Sequence, residues 1–153
     1  LNNRLRSLNE IFVCVFFLSL VTLPGVCEGL QISEAWSRAT VEGRMGAVYA
    51  TIENTSDHPI RIEGIKTSVA MMAQVHESYL DNGMMRMRHI EQFTIPAGEV
   101  RKLAPGGLHI MLMRLPKPLV EGTTFETKFE LDSGADLEFP VVVGSMGQMS
   151  KPE

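Results

Sequence analysis

His76, Met87, His109 and Met111 are the residues of this chain whose types and spacing could do chemistry. Two imidazoles and two thioethers make a neutral, soft-to-borderline donor set, with no carboxylate to favour a hard ion and no thiolate to favour zinc. Cu(I) matches such a set best, because it is soft, carries one charge and tolerates low coordination numbers. Ca²⁺ and Mg²⁺ want oxygen ligands, and Cu(II) would accept the imidazoles but gain little from the thioethers. A single methionine would say little, since Met is an adaptable core filler. Packing is therefore the competing reading: His76 as a surface histidine beside Glu77, Met87 in a core, and the His109–Met111 stretch under a loop.

The elements that must position these residues read as strands. In "LHIMLM" (108–113) the alternation puts Leu108, Ile110 and Leu112 on one face of a strand and His109, Met111 and Met113 on the other. Residues two apart on a strand lie roughly 6.5 to 7 Å apart at Cα, so His109 and Met111 can converge on one ion. "MAQVHESYL" and "MMRMRHIE" flank "DNG", a hairpin signal. A turn centred on residues 81 and 82 would bring Met87 across from His76. All four donors meet if the hairpin lies beside the 108–113 strand. Met85, His89 and Met113 stand two residues from the donors, as neighbours of the site or on the way into it.

The remaining segments fit the same class. "LQISEAWSRAT" alternates so as to place Ile32 and Trp36 inward, and "GAVYATIEN", "IRIEGIKT", "FTIPAGEVRKL", "TTFETKFELDSG" and "DLEFPVVV" follow between turn residues. No window has sustained helical periodicity. Eight or nine short strands in one domain predict an all-β sandwich or Greek-key barrel over residues 30–143. The segment 144–153 is poor in apolar residues and is expected to fray; Met146 and Met149 are its only soft donors.

Residues 1–29 read as a secretory signal peptide: Arg4 and Arg6, the apolar run 11–23, then Pro24 and Gly25. That run is shorter than the roughly 20 residues an ordinary membrane span needs; an uncleaved anchor is the alternative. Val26 before Cys27, where a lipoprotein signal prefers Gly or Ala, speaks against lipidation. Cys14 and Cys27, the only two cysteines, both fall in this leader, so the exported domain has no thiolate for a blue-copper site and no disulfide. The formal charge is −4, and Arg4 and Arg6 balance Glu10 and Glu28, so the domain also carries −4; a nucleic-acid binder would be basic. No nucleophile–base pair, supported acid pair or phosphate loop stands out, and no enzyme is expected.

The spacing His76, ten residues, Met87, twenty-one residues, His109, one residue, Met111 resembles the H-x10-M-x21-H-x-M pattern of the periplasmic copper chaperone family PCu(A)C. "GMMRMRHIEQFTIPAGEVRKLAPGGLHIMLMRLPKPLVEG" is similar to that family's central segment, and "AWSRAT" with "GAVYATIEN" to its opening. The resemblance implies a cupredoxin-like β-barrel in the periplasm that binds Cu(I) through His76, Met87, His109 and Met111. It implies delivery to the dinuclear copper centre of cytochrome c oxidase subunit II, or to another copper-accepting assembly factor, by a monomer that meets the membrane only through such a partner. Copper storage or resistance, and a β-sandwich interaction module without metal, are the alternatives. Some relatives carry a longer tail rich in His and Met; in this sequence Met146 and Met149 are the residues available for such an auxiliary site, and a second copper site is not expected from them.

Overall fold

The computed structural model describes residues 29–152, so the leader up to residue 28 lies outside the described residues. Ten strands follow in order: β1 (Leu30–Arg38), β2 (Gly46–Asn54), β3 (Ile60–Thr67), β4 (Met72–Asp81), β5 (Met84–His89), β6 (Phe93–Ile95), β7 (Val100–Leu103), β8 (Leu108–Met113), β9 (Thr124–Leu131) and β10 (Asp136–Gly144). No helix occurs among the described residues, and the all-β expectation holds.

The strands form one open sheet in the order β5-β4-β8-β2-β1-β10-β9-β3-β6, with β7 paired to β2. β2 serves two partners in succession: residues 46–48 pair with β8, and residues 50–53 with β7. β1 and β10 run parallel, and the other pairs antiparallel. Alternation of apolar and polar residues lets one face be buried. In β9, Phe125, Thr127, Phe129 and Leu131 point inward between more exposed neighbours. The sheet folds over on itself, so that Val48, Ile52, Ile110 and Leu112 share one core with Phe129, Phe139 and Val141. Each such side chain contributes about 1.5 to 3 kcal/mol by leaving water.

Two local features depart from the alternation read in the sequence. In β1 the register shifts between Ser33 and Trp36, where Glu34 takes a φ of 53°. This bulge inserts one residue and reverses the parity beyond it. Ile32 faces Ile52 across the strand pair, whereas Trp36 pairs with Tyr49 and stands outside the main core. Trp36 is buried, but on the opposite face from Ile32, against the Tyr49 ring at 4.7 Å between centroids. The second feature is the segment after β10. Read as a loose tail, it returns along β1: the Arg38 side chain donates from Nε to the Gln148 carbonyl (2.6 Å) and reaches the Met149 sulfur (2.9 Å).

Candidate metal centre

β5, β4 and β8 lie side by side, and their registers decide which donors meet. In the β4–β8 pair His76 faces His109 and Gln74 faces Met111; in the β4–β5 pair His76 faces His89 and Ser78 faces Met87. Directly opposed residues share a face, so His76, Met87, His109 and Met111 all project from the same side of the sheet. Met85 and His89 on β5 and Met113 on β8 share it too.

The hairpin register differs from the sequence reading by two residues. Asn82 and Gly83 take φ values of 48° and 80°, the pair of positive angles a type I′ turn requires. The turn is thus centred between 82 and 83, not 81 and 82. His89 replaces Met87 as the residue across from His76. Because the shift is even, Met87 keeps its face and becomes the diagonal neighbour of His76, beside Ser78.

The result is a row of rings across five adjacent strands. His89, His76, His109, Tyr49 and Trp36 follow one another with centroid separations of 5.5, 6.2, 6.5 and 4.7 Å. Met87 stands on one side of this row and Met111 on the other. Met87, His109 and Met111 line a common cavity of about 290 Å³, with Tyr49, Arg38 and Met45 contributing to its walls. His76 does not line that cavity; it sits behind, against His109. The sequence reading missed Met45, Tyr49 and Arg38 at this place. A methionine among Glu42, Gly43 and Arg44 is not core filler, which was the available signal for Met45.

The imidazoles are prepared differently. His109 is only 4% exposed, and its Nδ1 lies 2.9 Å from the Gly107 carbonyl, which can only accept. Nδ1 therefore carries the proton, leaving Nε2 with its lone pair, as in metal-bound histidines whose second nitrogen donates to a carbonyl. The same carbonyl accepts the Ser78 amide at 3.0 Å, which ties the 104–107 turn to β4. On His76, Nε2 is buried with no hydrogen-bond partner among the described residues. Burial, then the neighbouring His89 and His109, hold the His76 pKa below its ordinary value and keep the ring neutral. Burial likewise raises the Tyr49 phenol, opposed in part by Arg38.

An orphaned buried nitrogen is costly unless something binds it. Among the described residues no group of three or more His, Cys, Asp or Glu side chains is arranged to hold a metal. A metal here would have to draw on the thioethers, and that selects a soft ion. Of the other methionines, Met85 and Met72 are exposed, Met113 is half-buried opposite Met72, and Met146 and Met149 are exposed in the segment beside Arg38.

Comparison with known proteins agrees with this framework. The family model "Putative lipoprotein LpqE-like" matches residues 30–143. The curated protein "Putative lipoprotein Lxx21020" of Leifsonia xyli subsp. xyli is 37% identical over 109 residues, 71% of this chain and 65% of its own length. The chain thus spans just under two thirds of that relative. The copper-bound PCuAC domain from PmoF2 superposes with a TM-score of 0.65 at 22% identity, covering 76% of this chain and 93% of that one, which shows a shared fold. The solution structure of Cu(I)-DR1885 from Deinococcus radiodurans gives a TM-score of 0.60 at 27% identity, covering 80% and 84%. With 114 consecutive residues, 30 to 143, matched by the family model, the chain belongs to the LpqE-like family.

Proposed function

We propose that this protein is an exported copper chaperone that binds Cu(I) through His76, Met87, His109 and Met111 and passes it on by ligand exchange. The observation that carries the reading is the facing pair of imidazoles between two thioethers. One imidazole has its Nε2 freed by the Gly107 carbonyl and the other has a buried nitrogen without a partner. Structural neighbours described as copper-bound support it, and the lipoprotein names of the relatives support export; the periplasm is the destination we propose.

Neutral ligands on three different strands suit transfer. Loss of one thioether leaves the ion held by the rest, so an incoming donor can replace ligands one at a time. Met87, 48% exposed on the edge strand β5, is the donor most open to such replacement, while His109 is the buried anchor. The acceptor is proposed to be the dinuclear copper centre of cytochrome c oxidase subunit II or an assembly factor that feeds it.

The test is to mix the Cu(I)-loaded protein anaerobically with the apo soluble domain of subunit II and follow copper by size-exclusion chromatography with metal analysis. Movement of copper to the acceptor domain, slowed when the two are separated by a dialysis membrane, is the expected result. Copper that stays with this protein in the presence of excess acceptor would argue for storage.

A further inference from the structure

Met45 is 58% exposed, yet it is not a stray surface methionine. It ends the loop between β1 and β2 and lines the cavity that also receives Met87, His109 and Met111. The loop is pinned at both ends. At its start Thr40 exchanges hydrogen bonds with Leu119, its amide to the Leu119 carbonyl (3.0 Å) and its hydroxyl from the Leu119 amide (2.9 Å). At its end Gly46 lies so close to the core that a Cβ there would stand 3.2 Å from Leu119 Cδ1 and 3.5 Å from Leu112 Cβ. Between these anchors Arg44 closes a turn onto Val41. The backbone beside Met45 is therefore fixed, and its flexible side chain stands at the cavity wall with room to move.

We propose that Met45 is a reserve thioether of this cavity, binding Cu(I) during the exchange step when one of the resident thioethers lets go. The inference rests on the copper reading above. In the step, the bond from copper to the Met45 sulfur forms as the bond to the Met87 sulfur breaks. Copper stays Cu(I) throughout, and no proton or electron moves. Three sulfurs around one cavity, two on strands and one on a loop, give the ion a third soft donor while a strand donor is exchanged. An unbranched thioether side chain, about four heavy atoms long, has the reach and adaptability for this. Since the Met45 contact is made between states and not in the loaded one, it speeds loading and release by the same factor and leaves the equilibrium unchanged.

The experiment measures Cu(I) association and release by stopped flow against a chromophoric chelator, together with the equilibrium affinity, for the wild type, Met45→Leu and Met111→Leu. Leucine keeps the bulk and apolarity of an exposed side chain, so folding is preserved, and a thermal melt verifies it. Met45→Leu is expected to slow loading and release together by about fivefold with affinity held within about twofold, whereas Met111→Leu weakens affinity. Unchanged rates in Met45→Leu would overturn the reserve role. So would an affinity loss equal to that of Met111→Leu, which would make Met45 a resident ligand. If the wild type takes up no Cu(I), the copper reading itself falls and this inference with it; Met111→Leu sensitivity with Met45→Leu indifference removes this inference alone.

Discussion

His76 stands directly across from His109 in the β4–β8 pair, their ring centroids 6.2 Å apart and their planes inclined by 43°. This is a cross-strand pair whose Cα positions and shared face are fixed by the backbone ladder. Two neutral imidazoles held so closely on a rigid element form the stationary half of a site whose other half, the thioethers, can adapt. The same geometry makes the pair unfavourable for protons, since a charge on one ring repels a charge on the next.

That last point sets a pH dependence. The folded protein holds His76 below the ordinary value of 6.5 through burial and the adjacent His89 and His109. Below 6.5 the unfolded chain takes up a proton that the folded chain still refuses, so the stability of the metal-free protein falls as pH drops from 6.5 towards the lower folded value. Thermal melts at about pH 7.5 and about pH 5.5 should show a larger loss in the wild type than in His76→Gln. Equal losses would show that His76 is not desolvated.

The two faces of β8 separate stability from binding. Ile110 is fully buried in the core while Met111, next in sequence, faces the cavity. Ile110→Ala should cost about 3 kcal/mol in denaturant unfolding. Met111→Ala should cost much less and fall instead on Cu(I) affinity. Equal destabilisation by both would return Met111 to packing.

Much of this was legible in the sequence, and the exceptions share a cause. Alternation over 108–113 gave the correct faces of β8 because a strand's period of two needs only a one-sided core to fix it. Asn-Gly marks the hairpin, but its centre depends on which two residues take positive φ. Asn82 and Gly83 do so, and that choice exchanged Met87 for His89 opposite His76. Alternation alone puts Trp36 on the face of Ile32, because a bulge is an insertion that periodicity cannot register. Met45 escapes any reading by alternation, because loops have no period at all. Its place at the cavity follows from how Thr40 and Gly46 pack on Leu119, contacts distant in sequence.

The Asn82–Gly83 turn should therefore matter to copper although it lies away from the ions' donors. Gly83→Ala forces a side chain into the left-handed region at a cost of about 1 kcal/mol. The strain falls on the end of the hairpin that carries Met87, so Cu(I) affinity should drop with it. A variant destabilised as expected but with wild-type affinity would show that Met87 does not depend on this turn.

The beginning of the domain yields a prediction about processing. The Gly29 carbonyl accepts the Thr55 amide at 2.6 Å, and Leu30 is buried at 3% exposure. Cleavage between them, at the end of the 1–29 leader read in the sequence, would remove that acceptor and put a charged ammonium beside a buried residue. The exported protein should retain Gly29, with its terminus further upstream. Intact mass of protein recovered from an exporting host decides this; a mass starting at Leu30 would contradict it. Added lipid mass on Cys27 would agree with it and with the names of the relatives.

The central claim is that His76, Met87, His109 and Met111 hold one Cu(I). An anaerobic competition titration against a chromophoric Cu(I) chelator tests it most directly, run on residues 29–153, His76→Ala and Met111→Ala, each shown to be folded. One tight equivalent in the wild type, weakened by about tenfold or more in both variants, is the predicted result. No binding, or binding that neither substitution changes, would contradict it.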